Sequence, residues 1–213
     1  MRRTLQSPRE MVLKLADGLT FYFSRHGQTL ANVEGRFQGK TVDTPLTSVG
    51  VEQARAIGQI LKSNVKDVAA LPKVASPFPR ACRTMEIVLT TLGLPAAAFT
   101  KDARLSEIDL GDWDGLTKAE ARALDPAAFD EREADKWNVR VPGGRETYKD
   151  VAERAASFVG ELSNDTFAVS HGAFTRILRG LFAGLNAHQM SALDEPQGCV
   201  FMVQGSDCLR LDL

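Results

Sequence analysis

The sequence lacks a surplus of either charge. Lysine and arginine total 26 and aspartate and glutamate total 27 in 213 residues, which leaves a formal net charge of -1. A chain without a basic excess does not have the composition of a protein that binds nucleic acid or an anionic membrane surface. Any site for an anion must therefore be built locally, from a few arginines placed close together.

Long apolar runs are also missing. No stretch is long enough to span a bilayer, and the basic residues near the N-terminus are not followed by the apolar core of a signal peptide. We interpret residues 1–19 as an N-terminal extension, and we expect residues 1–10 to be disordered or loosely attached. The composition therefore predicts no membrane partner.

Cysteine is scarce. Cys82, Cys199 and Cys208 are widely spaced and odd in number, which favours a reducing cytoplasm and gives no metal-ligand spacing. Repeats, low-complexity segments and clear linkers are absent as well, and the length suits one domain with a sizeable core. We predict a single domain over residues 1–213 and a cytoplasmic location.

The chain has only three histidines, and the first follows a predicted strand. Residues 19–23 form an apolar, aromatic run that indicates a buried strand, and Arg25-His26-Gly27 follows after Ser24. Open α/β sheets bind their ligands at such strand ends. The arginine can grip a phosphate with two donors, and its charge favours the neutral, nucleophilic form of the neighbouring imidazole. This pair suits attack on a phosphoryl group.

The second histidine has the same context. Residues 165–170 read as a short strand that runs into His171-Gly172, and apolar residues at helical spacing follow. His171 would stand at a helix N-terminus, which favours an anion. Two histidines at matching strand-to-helix turns indicate a functional site, whereas His188 has no motif around it and is expected to be structural or exposed.

Strand and helix signals alternate along the chain, which predicts a three-layer α/β/α fold with a mostly parallel sheet. The predicted strands are 11–15, 19–24, 73–75, 165–170, 200–203 and 209–211. The predicted helices are 47–60, 80–92, 118–124, 127–137, 147–162 and 173–182. Residues 111–144 are polar and helical and do not fit the alternation, so we interpret them as a small helical cap over the sheet edge.

Four motifs occur in a fixed order, at residues 25–50, 76–84, 105–115 and 170–172. They resemble those of the histidine phosphatase superfamily, in its phosphoglycerate mutase-like branch. A lone Arg-His-Gly is a weak signal, but four ordered motifs are a specific one. The resemblance runs from about residue 20 to the C-terminus, so residues 1–19 fall outside it.

The resemblance implies a role for each residue at a motif position. His26 would form a phosphohistidine, and Glu107 would act as general acid and then general base. The phosphate pocket would consist of Arg25, Asn32, Arg80, His171 and Gly172. No metal or other cofactor is implied, since the arginines and helix N–H groups supply the positive field.

Further residues are candidates for substrate contact. These are Thr29, Gln38, Gly39 and Arg145. The last departs from the Gly-Gly-Glu-Ser string common in the family, since the sequence here is Gly-Gly-Arg-Glu-Thr over residues 143–147. Arg145 would either meet a second anionic group of the substrate or point into water.

Three functions remain open, and they differ in the fate of the phosphoryl group. Residues 107–111 read Glu-Ile-Asp-Leu-Gly rather than the Glu-Arg-His-Tyr-Gly of the family's mutases, and with the modest cap this favours a metal-independent phosphatase for a small phosphorylated metabolite. The alternative is a phosphoglycerate mutase, primed by 2,3-bisphosphoglycerate. A non-catalytic phospholigand-binding protein ranks last, because His26 and Glu107 are both present. The chain would be a monomer or a homodimer.

Overall fold

The structure is a computed structural model that describes residues 11–213. Six strands form one sheet in the order β3-β2-β4-β1-β5-β6. Their bounds are Phe21–Arg25 (β1), Lys73–Ala75 (β2), Thr100–Lys101 (β3), Thr166–Ser170 (β4), Val200–Gln204 (β5) and Asp207–Leu211 (β6). The four strands from β3 to β1 are parallel to one another, β5 is antiparallel to β1, and β6 is antiparallel to β5. The predicted α/β class with a mostly parallel sheet is confirmed.

Helices cover both faces of this sheet. Their bounds are Leu30–Val33 (α1), Ser48–Asn64 (α2), Pro79–Thr91 (α3), Lys118–Leu124 (α4), Pro126–Ala134 (α5), Tyr148–Gly160 (α6), Gly172–Phe182 (α7) and Ala187–Ser191 (α8). Apolar side chains of α2 and α3 pack on one face and those of α6 and α7 on the other. The central strands β1 and β4 are therefore apolar on both sides, as expected for parallel strands between two helical layers.

Within the segment 111–144, helices α4 and α5 follow a 3-10 turn at Gly111–Trp113. A small core of Trp113, Ala121, Phe129 and Val141 holds this segment together. Phe37, from the loop between α1 and α2, stacks on Trp113 with ring centroids 5.9 Å apart. The cap thus contacts the loop that carries the predicted site residues Gln38 and Gly39.

The predicted strand 11–15 is wrong. The backbone N–H of Leu13 donates to the carbonyl of Leu181 at the end of α7, and that of Leu15 donates to the carbonyl of Gly205 in the β5–β6 turn. These bonds join a helix end and a hairpin, so no ladder forms, although the side chain of Leu15 is buried in the core. The expectation of disorder for residues 1–10 lies outside the described residues.

Three short elements were not predicted from the sequence. Helix α1 begins in a stretch for which the sequence predicts neither helix nor strand, and Thr29 and Asn32 form a reciprocal capping box at its start. Strand β3 has two residues and α8 has five, too few for a periodic signal. No helix within residues 11–213 combines the length and the apolarity that crossing a membrane would require.

Candidate active site

Sheet topology brings two histidines together. Strands β1 and β4 are adjacent and parallel, with Arg25 opposite Ser170. The residues that follow, His26 and His171, therefore leave the sheet side by side. The backbone N–H of His26 donates to the carbonyl of Ser170 across 2.9 Å. The rings of His26 and His171 meet edge to face, with centroids 5.2 Å apart.

The hydrogen bonds of His26 define its tautomer. Its Nδ1 lies 2.8 Å from the carbonyl oxygen of Gly27, which can only accept, so Nδ1 carries the proton and Nε2 keeps its lone pair. Burial lowers the pKa of His26 well below its ordinary value, and the charges of Arg25 and Arg80 lower it further. The imidazole is therefore neutral near pH 7, with Nε2 as a nucleophile.

The turn that carries His26 is packed tightly against the start of α2. The N–H of Gly27 donates to the hydroxyl of Thr84 across 3.0 Å. A Cβ on Gly27 would lie 2.3 Å from the carbonyl oxygen of Gly50, and a Cβ on Gly50 would lie 2.1 Å from that of Gln28. Glycine is required at both places because backbone meets backbone there.

His171 is fixed by its place at the start of α7 and by a contact with Ser76, and its imidazole is neutral. It is the N-cap residue of α7, and its Nε2 lies 2.7 Å from the hydroxyl oxygen of Ser76. The Nδ1 atom is buried and has no hydrogen-bond partner within residues 11–213. Burial lowers the pKa of His171 well below its ordinary value, and the charge of Arg80 adds to the effect. A buried, unpartnered nitrogen at this point is free for a ligand atom.

The pKa of Glu107 is shifted in the opposite direction. It is almost fully buried, and its oxygens accept hydrogen bonds from the N–H groups of Ile108 at 2.9 Å and Ala173 at 3.2 Å. Burial raises the pKa of Glu107 above its ordinary value, and the nearby carboxylate of Glu195 raises it further. Such a carboxyl group keeps its proton to higher pH and can act as a proton donor.

Arg80 is a nearly buried cation close to the two histidines. Its Nη1 contacts the carboxylate of Asp43 at 2.8 Å, and its Nη2 donates to the carbonyls of Gln38 and Gly39 at 3.2 and 2.9 Å. These contacts fix the guanidinium, whose charge lowers the pKa of His26. Arg80 is thus a cation held in place near His26.

Arg25 is tied to a loop that precedes β5. Its Nη1 donates to the carbonyl of Glu195 at 2.7 Å and lies 3.6 Å from the carboxylate of the same residue. That carboxylate also covers Gly172, where a Cβ would lie 2.3 Å from it. Glu195 therefore occupies the space at the N-terminus of α7, beside one of the predicted phosphate ligands.

A cavity of about 210 Å³ opens between the sheet edge and the cap. Five predicted site residues line it: Arg25, His26, Asn32, Gln38 and Glu107. The side-chain oxygen of Asn32 accepts from the N–H of Thr29 and from the amide of Gln197. Because that oxygen is engaged, the amide nitrogen of Asn32 is the group left to contact a ligand.

The other candidates for substrate contact have different surroundings. Thr29 is buried and donates its hydroxyl hydrogen to the side-chain oxygen of Gln38 across 2.8 Å. Gly39 packs against Leu110, where a Cβ would lie 3.0 Å from the leucine Cβ. Arg145 is exposed and lies outside the cavity lining, so the structure does not bring it to the site. His188 is exposed, which is one of the two placements expected for it, and it is not part of the cavity lining.

Sequence reasoning missed several cavity residues. Arg176 and Tyr148 line the cavity from α7 and α6, Arg132 and Lys136 line it from the cap, and Glu195 lines it from a loop. A signal existed for two pairs. Arg176 stands four residues after Gly172, which places both on one face of α7. Arg132 and Lys136 are also four apart, which would place them on one face of the predicted helix 127–137, but α5 ends at Ala134 and Lys136 follows in a turn.

No group of three or more histidine, cysteine, aspartate or glutamate side chains that could hold a metal ion occurs within residues 11–213. Cys82 is buried in α3, with its sulfur 3.3 Å from the carbonyl oxygen of Ser76. It packs as a small, buried side chain.

Comparison with known proteins gives a consistent picture. The model of the histidine phosphatase superfamily (branch 1) matches residues 21–208. A glucosyl-3-phosphoglycerate phosphatase of Mycolicibacterium vanbaalenii is 33% identical over 76% of this chain and 72% of its own. A 2,3-bisphosphoglycerate-dependent phosphoglycerate mutase of Methylocella silvestris is 36% identical over 63% of each chain. The solved structure of a mycobacterial glucosyl-3-phosphoglycerate phosphatase with VO3 superimposes with a TM-score of 0.74, at 29% identity, over 92% of this chain and 98% of that one.

Proposed function

The chain belongs to the histidine phosphatase superfamily (branch 1), and we propose that it hydrolyses a small phosphorylated metabolite through a phosphohistidine on His26. Its relatives are phosphatases and phosphoglycerate mutases, and the chain is an enzyme of this phosphomonoester chemistry. The substrate and the fate of the phosphoryl group are the parts that we propose.

One observation carries the proposal: a histidine with a lowered pKa and a carboxyl group with a raised pKa line the same cavity. In the first step Nε2 of His26 attacks phosphorus, the bond to the leaving oxygen breaks, and Glu107 gives that oxygen its proton. In the second step Glu107 takes a proton from water as the water oxygen attacks phosphorus. The bond from phosphorus to nitrogen breaks, and His26 returns to its neutral form.

Fixed positive groups would stabilise the charge on the transferring phosphoryl group. Arg25 and Arg80 supply two guanidinium groups, and the N-terminus of α7 supplies a helix dipole. Asn32 and His171 would add neutral contacts. We propose that this set needs no metal ion, because the cations are already held in place before substrate binds.

Phosphoglycerate mutase activity is the second candidate, favoured by the mutase relative of Methylocella silvestris. A mutase would pass the phosphoryl group of His26 to a second hydroxyl of the bound substrate instead of to water. Leu110 stands where the family's mutases have the tyrosine of their third motif, which favours hydrolysis.

The test is an assay of phosphate release with EDTA present, using p-nitrophenyl phosphate and 3-phosphoglycerate. We expect release by the wild type and a loss of at least about a thousandfold in His26→Ala, since the covalent route is then closed. The Arg122→Gln variant, which changes an exposed cap arginine paired with Asp130, is the control and should match the wild type. Formation of 2-phosphoglycerate without phosphate release, after addition of 2,3-bisphosphoglycerate, would identify a mutase instead.

A further inference from the structure

Three neighbouring strands place a row of side chains at the edge of the sheet that carries the candidate site. Strands β2, β4 and β1 are adjacent and parallel, and they are followed directly by Ser76, His171 and His26. The backbone N–H of Ser76 donates to the carbonyl of Val169 at 2.9 Å, as that of His26 donates to the carbonyl of Ser170. His171 therefore lies between Ser76 on one side and the proposed nucleophile on the other.

The hydroxyl group of Ser76 is buried and has two neighbours for hydrogen bonding. The backbone N–H of Phe78 donates to it across 3.4 Å, and Nε2 of His171 lies 2.7 Å away. Since the N–H of Phe78 can only donate, Nε2 is the one acceptor for the hydroxyl hydrogen within residues 11–213. If Nε2 carried a proton, that hydrogen would be buried without a partner, which is costly. Ser76 is therefore the donor to Nε2.

This hydrogen bond sets the tautomer of His171. A neutral imidazole has one N–H group and one lone pair, so a lone pair at Nε2 means that the proton is on Nδ1. The Nδ1 atom is buried and lacks a hydrogen-bond partner in the part of the chain that the structure describes. A buried N–H without an acceptor is unfavourable. The Nδ1–H of His171 is therefore a donor for which a ligand would supply the acceptor.

Two aromatic rings hold the imidazole of His171 in this orientation. The rings of Phe78 and His26 both meet it edge to face, with centroids 5.3 and 5.2 Å away. A half-turn of the imidazole would place a carbon instead of Nε2 against the hydroxyl of Ser76 and would lose their 2.7 Å contact. Because Nε2 is committed to Ser76, Nδ1 is the ring nitrogen left for a phosphoryl group bound at His26.

The two histidines then share a tautomer but offer opposite chemistry. His26 gives its Nδ1–H to the carbonyl of Gly27 and keeps a lone pair on Nε2 for attack on phosphorus. His171 accepts from Ser76 at Nε2 and keeps its Nδ1–H. A phosphoryl oxygen only accepts hydrogen bonds, so an N–H stabilises it and a lone pair repels it. The tautomer of His171 thus decides whether this residue helps or opposes phosphoryl transfer.

We propose that Ser76 is a positioning residue for the proposed reaction: its hydroxyl holds the proton of His171 on Nδ1, where it donates to an oxygen of the phosphoryl group at His26. Ser76 and His171 remain neutral hydrogen-bond donors throughout, and no proton passes along the row. This inference rests on the proposed function and adds to it a residue that acts on the substrate only through His171.

The tautomer of a histidine is read by NMR from the chemical shifts of its ring nitrogens, and the chain has only three histidines. Isotope labelling of the histidine nitrogens gives three pairs of signals, which are assigned by replacing one histidine at a time. In the wild type we expect an N–H signal for Nδ1 of His171 and a lone-pair signal for Nε2. A proton on Nε2, or on both nitrogens, overturns the proposal.

Inorganic phosphate is the probe for the ligand in the same spectra. Binding beside His26 should move the signals of that residue, and we expect the Nδ1–H signal of His171 to move with them because it gains an acceptor. Movement of the His26 signals without any change at Nδ1 of His171 overturns the proposed donation to the phosphoryl group.

Ser76→Ala removes the donor to Nε2, and Thr175→Val is its matched control. The hydroxyl of Thr175 is buried and donates to the backbone carbonyl of His171 at 2.8 Å, so the control removes a hydrogen bond of the same histidine without touching its ring. We expect Ser76→Ala to move the proton of His171 toward Nε2, whereas Thr175→Val and the hydroxyl-bearing Ser76→Thr keep it on Nδ1. An unchanged tautomer in Ser76→Ala, or an equal change in Thr175→Val, overturns the role of Ser76. The wild-type spectrum decides if Ser76→Ala does not fold.

A double-variant cycle connects the tautomer to turnover. Ser76→Ala should lower kcat about tenfold with little change in KM, since the Nδ1–H acts on charge that develops during phosphoryl transfer. In the background of His171→Ala the same change should have no further effect, because Ser76 acts through the imidazole. An equal loss of kcat in both backgrounds would make Ser76 a structural residue and overturn the proposal.

The spectra need no turnover, so this inference and the proposed function fail in different ways. An Nδ1–H of His171 that responds to phosphate, in a protein that releases none from substrate, supports the role of Ser76 and contradicts hydrolysis. Phosphate release by an enzyme whose His171 carries its proton on Nε2 overturns the role of Ser76 and leaves hydrolysis through His26 intact.

Discussion

Burial has opposite effects on the two groups that the proposed reaction uses. It lowers the pKa of His26, whose charged form is the acid, and raises the pKa of Glu107, whose charged form is the base. Both shifts favour the uncharged species. The same cavity can therefore hold a nucleophile and a proton donor at the same pH, which is how many active sites separate such roles.

Glu195 supports the protonated state of Glu107, and Glu195→Gln tests this. The pKa of Glu107 is raised first by burial and then by the negative charge of Glu195, so removing that charge lowers it. The proton donor then loses its proton at lower pH. We expect the alkaline limb of the pH profile of kcat to shift toward lower pH, measured with one substrate for both enzymes.

Glu133→Gln is the matched control for this shift. Glu133 is also a cavity carboxylate, but it pairs with Lys136 and is not among the main influences on the pKa of Glu107. The alkaline limb of Glu133→Gln should stay at the wild-type pH. An unmoved limb in Glu195→Gln would show that burial alone sets the protonation of Glu107.

Single residues show where sequence reasoning is sufficient. His26 and His171 could be placed together because each follows a strand and precedes a glycine, and adjacent parallel strands end at one edge. Arg132 could not be chosen over Arg145, because both lie in polar segments and only packing decides which one faces inward. The roles of all these residues in catalysis stay predictions until they are tested.

The loop between α1 and α2 connects the cap to the candidate active site. The carboxylate of Asp114, just after the 3-10 turn of the cap, accepts hydrogen bonds from the N–H groups of Gly39 and Thr41 at 2.7 Å and from that of Val42 at 3.1 Å. Burial raises the pKa of Asp114, but these bonds together with the Thr41 hydroxyl lower it overall. The same loop holds Arg80 through its carbonyls.

Asp114→Asn should loosen this loop. The amide removes the charge and turns one acceptor into a donor that faces other donors, so we expect a loss of at least about 1.5 kcal/mol in the free energy of unfolding. Since Gly39 also positions Arg80, kcat/KM should fall about tenfold or more. Urea unfolding and steady-state kinetics provide the two measurements.

Asp130→Asn is the matched control for Asp114→Asn. Asp130 is an exposed cap carboxylate paired with Arg122, and exposed pairs contribute little. Its unfolding midpoint and kcat/KM should match the wild type. An Asp114→Asn enzyme with full activity despite lower stability would mean that Arg80 does not depend on this loop.

Elements with strong local signals were predictable and those that depend on tertiary contacts were not. Helix α4 was predicted at its observed bounds, and the structure shows a capping box between Thr117 and Glu120 at its start. The segment 11–15 has the apolar residues of a strand, but a helix end and a hairpin take its hydrogen bonds. Helix α1 depends on a four-residue turn that has no periodicity to detect.

At the scale of the molecule, the two buried histidines of the candidate site also make the stability of the fold depend on pH. The pKa values of His26 and His171 are both lowered, so below about pH 6.5 the unfolded chain binds more protons than the folded chain. Stability is therefore full above that pH and is lost as the pH falls. The loss is at most about 1.4 kcal/mol per histidine for each pH unit.

The double variant His26→Gln/His171→Gln should remove this dependence. Urea unfolding at about pH 7.5 and about pH 5.5 gives the slope for each protein, and the difference between the slopes isolates the histidines from Glu107, which remains in both. We expect a smaller loss of stability on acidification in the double variant. Equal slopes would mean that these imidazoles are charged in the folded protein.

The central claim is that His26 carries the phosphoryl group, and the most direct test is to trap it. The enzyme is mixed with substrate labelled in its phosphorus, quenched in alkali and digested, and the labelled peptide is identified by mass spectrometry. We predict label on His26 that is stable to alkali and labile to acid, with none in His26→Ala. Label at another residue, or hydrolysis in single turnover with no labelled protein at any time, would contradict the account.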